Sequence, residues 1–365
     1  MYRKDQRTVV TLDAGGTNLV FGAMRGCEFI GDTVTYPSNA HDLDLCLATM
    51  VKGFTEIINR LDEKPVAISF AFPGPADYPN GIIGGYLPNF PSFRDGVALG
   101  PFLEEKFGIP VYINNDGDLF AFGEALCGAL PDINSRLSEA GSAKRYHNLI
   151  GYTFGTGFGV GVVVNDRLNR GDNSCVETFC LRHKTKPEVI VEEGVAVRAI
   201  KRVYAEVSGD FASDLEPKEI CEIADGHRPG DINAAKRAFA EFGEIAGDAM
   251  ATAASLVDGI IVIGGGITAA RHHIMPALLN ELRGKLSTIG GDSVNRVQSE
   301  VFYLDNPDEF ALFANGARRS IKVYGTDRTV EYDPMKRIGV VISRLGASKA
   351  ISQGAYAFAL AQLDS

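Results

Sequence analysis

Apolar residues in this chain fall into two alternating patterns. Short β-branched runs predict buried strands at 66–72, 111–116 and 260–263. Between a further strand predicted at 27–34 and the run at 66–72, residues 43–61 carry apolar side chains at three- and four-residue spacing, which predicts an amphipathic helix. Strand, helix and strand in this order are typical of an α/β fold.

The first apolar run is interrupted by Gly15 and Gly16 and predicts two strands joined by a tight turn. Because glycine accepts positive φ at low cost, we expect these glycines to form the turn. The turn would expose backbone N–H groups beside Thr17 and Asn18, with Asp13 at the end of the first strand. Such a turn can bind a phosphate, with an acid nearby to organise a metal ion, but an ordinary hairpin has the same pattern.

The same pattern recurs at Gly155, Thr156 and Gly157, again between two apolar strands. An internal repeat of this kind predicts two related lobes, each beginning with a glycine turn. The recurrence also favours the phosphate interpretation of both turns over two unrelated hairpins.

Two further predicted strands end in residues that can carry chemistry. Asn115 and Asp116 end one strand, where open α/β sheets bind ligands, and Asp116 can act as a general base or cap the next helix. Gly264, Gly265 and Gly266 follow another strand in a GxGxxA pattern. The pattern is weak evidence for a nicotinamide-linked dehydrogenase, because no acid ends a following strand, and a helix N-terminus that binds adenosine or phosphate fits better.

Glu177, His183 and Glu188 share a polar loop with Cys175 and Cys180. A structural zinc site normally requires more compact cysteine pairs, so we expect no zinc here. The carboxylates can hydrogen-bond a polyhydroxylated substrate, or the loop can be an ordinary solvated surface. The sequence leaves both interpretations open.

Composition narrows the class of protein. The chain has 365 residues, enough for two domains, and its net charge of −10 at pH 7 argues against a nucleic-acid partner. No apolar run approaches membrane-spanning length, and residues 1–7 lack a signal-peptide core. The six scattered cysteines predict reduced thiols in a cytoplasmic protein, and His272 and His273 are expected to be surface residues.

In combination and in order, these motifs resemble the ROK family of sugar kinases, within the actin/hexokinase/Hsp70 superfamily. The resemblance spans nearly the whole chain. It rests on the segments LDAGGTN at 12–18, FPGP at 72–75, PN at 88–89, NDGDLFAFGE at 115–124, GTG at 155–157, VIGGGI at 262–267, and SRLG at 343–346 with Ala350, Gly354 and Ala355.

The resemblance implies two ribonuclease H-like lobes around a central cleft. Residues 8–116 with 350–365 would form the amino-terminal lobe and residues 117–349 the carboxyl-terminal lobe, with an unexplained insertion near 301–332. Family members are commonly dimeric or tetrameric, so the resemblance implies a homodimer or tetramer. The repressor branch carries a DNA-binding helix-turn-helix before the first strand, and the few residues that precede it here cannot hold one.

The resemblance also implies phosphorylation of a hexose or related sugar by ATP, as in glucokinases, fructokinases and N-acetylhexosamine kinases. Asp116 would be the general base, and Asp13 would hold Mg²⁺ through water. Sugar contacts would come from Asn89, Asn115, Asp116, Glu177, His183 and Glu188. Nucleotide and phosphate contacts would come from Asp13, Gly15, Gly16, Thr17, Asn18, Gly155, Thr156, Gly157, Gly264, Gly265 and Gly266.

The chain departs from the family in the loop that begins at Glu177. The family's CxCGxxGCxE zinc motif is absent, so no zinc is expected, and Glu188 is the first candidate for the last sugar-binding glutamate. A small shift in alignment would assign that role to Glu192. The altered loop keeps an alternative open, which is a sugar-binding regulator or a catalytically silent relative.

Overall fold

A computed structural model describes residues 2–74 and 76–365, so Pro75, the last residue of the predicted FPGP turn, lies outside the described residues. Contacts divide the chain into two compact units. Unit 1 comprises the described residues of Met1–Pro131 with Gly161–Val176 and Arg344–Ser365, and unit 2 comprises Asp132–Val160 with Glu177–Ser343.

The strands and α-helices of the first part of the chain all belong to unit 1. They are β1 (Val9–Ala14), β2 (Asn18–Arg25), β3 (Glu28–Phe29), β4 (Val34–Pro37), α1 (Leu43–Asn59), β5 (Ala67–Ala71), β6 (Ala76–Asp77), β7 (Ile82–Ile83), α2 (Leu99–Phe107), β8 (Val111–Asn114) and α3 (Asp116–Leu126).

The second part of the chain contains the remaining elements. They are α4 (Ala129–Glu139), β9 (Leu149–Phe154), β10 (Phe158–Val164), β11 (Arg167–Leu168), α5 (Val197–Ser208), α6 (Pro217–Ala224), α7 (Ile232–Val257), β12 (Ile260–Gly264), α8 (Arg271–Leu282), β13 (Lys285–Ser287), β14 (Ser293–Asn295), β15 (Glu300–Tyr303), α9 (Pro307–Asn315), β16 (Arg319–Lys322), β17 (Thr329–Tyr332), β18 (Arg337–Ile342) and α10 (Ala347–Leu363). Short 3₁₀ helices lie at Tyr2–Lys4, Tyr78–Asn80, Pro91–Phe93, Val191–Gly194 and Gly266–Ala270.

Unit 1 is built on a sheet with strand order β3-β2-β1-β5-β8, with β4 also paired to β2. Strands β1, β5 and β8 run parallel, and β2 runs antiparallel to β1. Helix α1 packs on this sheet through Gly53, because a Cβ there would lie 2.3 Å from the ring of Phe21. The rings of Phe21 and Phe54 then meet edge to face with centroids 5.0 Å apart, at the centre of an aromatic core.

The sheet of unit 2 contains parallel strands in the order β9-β12-β18-β15. Strand β10 begins beside β9 and passes into unit 1 after residue 160, where it pairs with β11. Both sheets therefore start from a strand, a glycine turn and a second strand, and continue with parallel strands beside the first. This pattern confirms the predicted α/β fold class with two related units.

The unit boundaries differ from the predicted lobes, because α3 and α10 pack together within unit 1. A Cβ on Gly123 would lie 2.0 Å from the carbonyl oxygen of Ala350, and one on Gly354 would lie 1.8 Å from that of Leu119. Only glycine lets the two backbones approach so closely. Residues 117–131 therefore group with unit 1, whereas the predicted boundary followed residue 116.

The predicted insertion at 301–332 has two parts. Strand β15 is an integral strand of the unit 2 sheet, since it runs parallel to β18 with Val301 opposite Ile338. After α9, strands β16 and β17 form an antiparallel hairpin whose residues are exposed. Only this hairpin stands apart from the sheet.

The prediction of reduced cysteines is wrong for one pair. Cys27 and Cys127 form a disulfide within unit 1, with Cα atoms 6.1 Å apart and a sequence separation of 100. Local spacing cannot reveal a pair so distant along the chain. Cys46 is a buried free thiol, Cys175 and Cys180 are exposed, and Cys221 is half-buried.

Among the described residues, no helix combines the length and the apolar character needed to cross a membrane.

Candidate active site

In unit 1, the carboxyl ends of three parallel strands form one edge of the sheet. The register sets Asp13 of β1 opposite Ala71 of β5, and Ala71 opposite Asn114 of β8. Asp116 follows Asn114 by two residues, so both predicted acids lie at this edge. The side chains of Asp13 and Asp116 are exposed to solvent.

Asn115, and not Asp116, caps α3. The Oδ1 atom of Asn115 accepts hydrogen bonds from the N–H groups of Gly117 at 2.6 Å and Asp118 at 3.4 Å. The interpretation of Asp116 as the helix cap is therefore wrong, and Asp116 is the first residue of the helix itself. Its Oδ1 also accepts from the N–H of Gly117 at 2.9 Å, which orients the carboxylate.

The surroundings of Asp116 disfavour its charged form. Although the side chain is open to solvent, desolvation by the nearby protein raises the pKa of the Asp116 carboxyl group, and the charge of Asp13 raises it further. Hydrogen bonds from the backbone N–H groups of Gly117 and Asp116 act in the opposite direction. An exposed carboxylate with a raised pKa is a better proton acceptor than an ordinary aspartate.

The glycines of the first turn do not adopt the positive φ that we expected. Gly15 and Gly16 are both outside the left-handed region, and the turn closes when the N–H of Gly15 donates to the carbonyl of Asn18 at 2.9 Å. Gly16 packs closely on the loop that carries Asn89, since a Cβ there would lie 3.2 Å from the Cβ of Asn89. The turn residues Gly16, Thr17 and Asn18 are exposed.

Asn89 is an exposed residue held in place by buried neighbours. Leu87 is 3% exposed and Phe90 is fully buried, so the loop is anchored on both sides of Asn89. Phe90 stacks at an angle on Phe72, with ring centroids 4.6 Å apart. The structure therefore brings Asn89 to the first glycine turn, next to the sheet edge that carries Asp13.

Three polar residues near this edge were missed as site residues. Nη1 of Arg170 donates to Oδ1 of Asn114 at 3.1 Å, and burial raises the pKa of Asp118 to about 7, with Arg170 lowering it and Asp116 raising it. Nδ2 of buried Asn114 has no hydrogen-bond partner among the described residues. Asn114 and Asp118 flank the predicted base in sequence, but no local signal points to Arg170.

In unit 2, the second glycine turn and the later glycine loop lie together. The register sets Gly264 of β12 opposite Thr153 of β9. Gly265 has φ +94°, and a Cβ there would lie 2.2 Å from the carbonyl oxygen of Phe154. The backbone that precedes Gly155 is therefore in direct contact with the loop, and Gly266 beyond it is exposed.

Glu192 lies at the second glycine turn. Its Oε2 accepts from the N–H of Phe158 at 3.0 Å, and its Oε1 pairs with Nη2 of Arg198 at 2.9 Å. Nη1 of Arg198 also donates to the carbonyl of Thr156 at 3.2 Å. Glu188, the first candidate from the sequence, is exposed, and no carboxylate contact of this kind is found for it among the described residues.

The other predicted residues of the loop have contrasting environments. Glu177 is half-buried, whereas His183 is only 2% exposed. Nδ1 of His183 accepts from the N–H of Thr185 at 3.3 Å, and its Nε2 lies under Gly194, where a Cβ would be 2.7 Å away. Burial lowers the pKa of His183, which favours the neutral imidazole.

Comparison with known proteins shows which family the chain resembles. A family model described as the ROK family matches residues 9–178. A glucokinase of known structure from Parabacteroides distasonis is 58% identical, with 99% of each chain covered and a TM-score of 0.91. The beta-glucoside kinase of Listeria innocua is 26% identical over 291 residues, which is 77% of this chain and 88% of that protein.

The match to a repressor covers a shorter part of the chain. The xylose repressor of Bacillus spizizenii is 33% identical over 117 residues, which is 31% of this chain and 26% of the repressor. The chain thus covers only about a quarter of that protein, whereas it covers nearly all of the Parabacteroides glucokinase. By its end-to-end similarity, the chain belongs to the ROK family, and it groups with the carbohydrate kinases of that family.

Proposed function

We propose that this protein transfers the γ-phosphoryl group of ATP to a hydroxyl of a hexose or a related sugar. The observation that carries this proposal is the exposed Asp116 carboxylate at the strand edge of unit 1, beside Asp13. The name of the Parabacteroides relative makes glucose the first sugar to test.

Asp116 is the proposed general base. Its carboxylate takes the proton of the sugar hydroxyl, the hydroxyl oxygen forms a bond to the γ-phosphorus, and the bond from that phosphorus to the β-phosphate oxygen breaks to release ADP. The hydrogen bond from Gly117 orients the carboxylate, and the raised pKa increases its affinity for the proton. Phosphoryl transfer depends mainly on positioning and charge neutralisation, so the base acts together with the metal and phosphate contacts proposed below.

Asp13 is the proposed residue that holds Mg²⁺, through a water molecule. Magnesium prefers oxygen ligands and keeps several waters, and the exposed carboxylate of Asp13 at the end of β1 suits that preference. When bound, the ion would neutralise charge on the phosphates of ATP.

The two glycine turns are the proposed phosphate contacts. The N–H of Gly15 donates to Asn18, and that of Gly155 donates to the carbonyl of Gly157 at 3.2 Å, so both close their own turns. We therefore assign phosphate binding to the next N–H groups, from Gly16 and Thr17 in unit 1 and from Thr156 in unit 2. Backbone N–H groups in a tight turn form such an anion site.

The loop Gly264–Gly266 is the proposed nucleoside contact. Gly265 packs against the strand that leads to the second turn, and exposed Gly266 leaves room for a ligand because a Cβ there would meet nothing within 4 Å.

Asn89 and Asn115 are the proposed sugar contacts of unit 1. For unit 2 we propose Glu177 together with Glu192, and we prefer Glu192 to Glu188 because its contacts with Phe158 and Arg198 fix its position at the second turn. Direct sugar binding by His183 stays a prediction, and its burial makes it the weakest of the set.

The decisive experiment replaces the base. Asp116→Asn should lower kcat for sugar phosphorylation by about 10²–10⁴-fold, the contribution of general base catalysis, while the affinities for sugar and ATP change little. The measurement is sugar-dependent ADP release over a panel of sugars, with calorimetric sugar binding in parallel. Asp62→Asn, at an exposed aspartate away from the strand edge, is the matched control. Normal turnover by Asp116→Asn would show that the base is assigned wrongly.

The same assay tests the alternative of a sugar-binding regulator. The local match to a xylose repressor is the observation that favours it. A regulator would bind a sugar of the panel in calorimetry and release no ADP with any of them, in the unmodified protein.

A further inference from the structure

Helices α6 and α8 bring four metal-binding side chains together in unit 2. Cys221 lies on α6, Asp225 ends that helix, and His272 and His273 lie in the first turn of α8. One ligand atom from each residue lies within 4.8 Å of all the others. Nearly fifty residues separate the two pairs in sequence, so their meeting depends on the fold. His272 is exposed, as expected from the sequence, and His273 is half-buried.

The distances within this cluster are close to those of a coordination shell. The Nε2 atoms of His272 and His273 each lie 2.8 Å from Oδ1 of Asp225, and Sγ of Cys221 lies 3.7 Å from its Oδ2. Around a tetrahedral Zn²⁺, with bonds of about 2.0–2.3 Å, adjacent ligand atoms lie roughly 3.3–3.6 Å apart. The four ligand atoms lie within 4.8 Å of one another, so the more widely separated pairs would move closer together around an ion.

The convergence of two adjacent histidines is the less common feature. Consecutive residues on an α-helix point about 100° apart, yet both imidazoles turn to the same carboxylate oxygen. Their ring centroids are 4.1 Å apart, and His273 stacks on Phe239 at 5.8 Å, which holds its ring in place. Two imidazolium cations at this separation would repel each other, whereas neutral imidazoles are good metal ligands.

A hydrogen-bonded ion cluster is the simpler interpretation. In that case each histidine donates from Nε2 to Asp225, and the Cys221 thiol, a weak donor, completes the set. Such a cluster explains the two short contacts but gives the thiol only a minor role. A metal ion gives all four side chains a role, since two nitrogens, one oxygen and one sulfur suit zinc.

We propose that Cys221, Asp225, His272 and His273 bind one Zn²⁺ ion that fixes the end of α6 to the start of α8. Four protein ligands fill a tetrahedral shell, so the site is structural and has no open position for catalysis. This site is separate from the loop that begins at Glu177, where the family's zinc motif is missing. The expectation that the chain has no zinc would then hold for that loop alone.

The experiment uses the full chain produced without a histidine tag. After treatment with a chelator, the protein is titrated with Zn²⁺ against a competing metal indicator, and bound zinc is counted by mass spectrometry after dialysis. We expect one zinc per chain, and binding weakened by about 100-fold or more in His272→Ala, His273→Ala and Asp225→Asn. His41→Ala and Cys175→Ser, at exposed positions elsewhere, are the matched controls and should bind as the unmodified chain does.

Cobalt replaces zinc in a second measurement that identifies the thiol. Tetrahedral Co²⁺ bound to a thiolate has a sulfur-to-metal charge-transfer band in the near ultraviolet, and Cys221→Ser should lose this band while Cys175→Ser keeps it. Circular dichroism of each metal-free variant separates loss of a ligand from loss of the fold. Absence of stoichiometric zinc binding, or equal binding by the His272→Ala/His273→Ala double variant, would overturn the proposal. Neither readout depends on kinase activity, so the site and the proposed function can fail separately.

Discussion

The two glycine turns begin their units in the same way but carry different chemistry. In unit 1, Asp13 precedes the turn at Gly15 by two residues, and in unit 2 the equivalent residue before Gly155 is Thr153. The edge of the unit 1 sheet carries two carboxylates, those of Asp13 and Asp116. The second carries no acid on its own strand, and its turn is held by Glu192 from a neighbouring 3₁₀ helix.

The two turns therefore share one arrangement of strand, glycine turn and strand, and the side chains around them differ in chemistry. A carboxylate on a strand end can hold a metal ion or accept a proton, whereas a turn that offers backbone N–H groups suits phosphate. Arg198 at the second turn is paired with both Glu192 and Glu193, so its charge is neutralised within the protein and the backbone N–H groups are what the turn offers an anion. In the proposed reaction, unit 1 would supply the acids and the second turn would supply N–H groups.

Among the changes that test the comparison of the two turns, exchanging the two equivalent residues should produce the largest effect. Asp13→Thr gives the first turn the residue of the second, and we expect kcat to fall by about 10²-fold or more, because preorganised charge stabilisation is lost. Steady-state kinetics over a range of Mg²⁺ concentrations would measure the change. The reciprocal variant Thr153→Asp in the Asp13→Thr background should not restore activity, and restoration would show that the two turns are interchangeable.

Adding a single methyl group at Gly265, in the loop Gly264–Gly266, should lower the stability of the protein. Gly265→Ala forces a Cβ to within 2.2 Å of the Phe154 carbonyl oxygen at a φ of +94°, so we expect a loss of about 3 kcal/mol in the free energy of unfolding. Chemical denaturation would measure it. Gly266→Ala is the matched control, because its Cβ would meet nothing within 4 Å, and an equal loss in both variants would contradict the packing argument.

The free energy of unfolding should fall as the pH rises, because the pKa of Asp118 is raised in the folded chain. Its folded pKa of about 7 lies above the ordinary aspartate value of 3.8, so between these values the unfolded chain releases the proton first. The free energy of unfolding should then decrease, at most by about 1.4 kcal/mol per pH unit.

Asp118→Asn removes this titration and should flatten the dependence between about pH 4 and 7. Urea unfolding at several pH values compares the two chains, and exposed Asp62→Asn serves as the control. Parallel curves for the Asp118→Asn variant and the unmodified chain would show that Asp118 is not the titrating group.

The smallest effect is expected at the second turn. Glu192→Gln keeps an acceptor for the N–H of Phe158 but removes the charge opposite Arg198, which still pairs with Glu193 at 2.7 Å. Since this ion pair is partly exposed, the stability should change by about 1 kcal/mol or less. Glu193→Gln is the control, and a KM for sugar that rises only in Glu192→Gln would support a direct sugar contact by Glu192.

Much of the fold and of the site could be predicted from local sequence. The turns at Gly15 and Gly155 and the strand end at Asp116 are short-range features, and their order along the chain identified the family. The packing of each glycine could not be predicted, since Gly16 lies close to Asn89 and Gly265 lies against the backbone of Phe154, both distant in sequence.

Contacts over long sequence distances account for the other differences. The disulfide from Cys27 to Cys127, the hydrogen bond from Arg170 to Asn114 and the meeting of α6 with α8 each depend on the completed fold. Helix α3 belongs with unit 1 because Gly123 fits against α10, which no pattern within α3 indicates.

The packing of α10 on α3 also constrains how the protein is made. Residues 344–365 complete unit 1, and Gly354 contacts the backbone of Leu119, so the first unit stays incomplete until the last helix has left the ribosome. Unit 2 is synthesised in full before that moment, and it can reach its native contacts earlier, although domains more often fold in order from the amino terminus. Until α10 packs in place, the faces of α3 and β5 that it covers are open to water, and such exposed apolar surface favours aggregation.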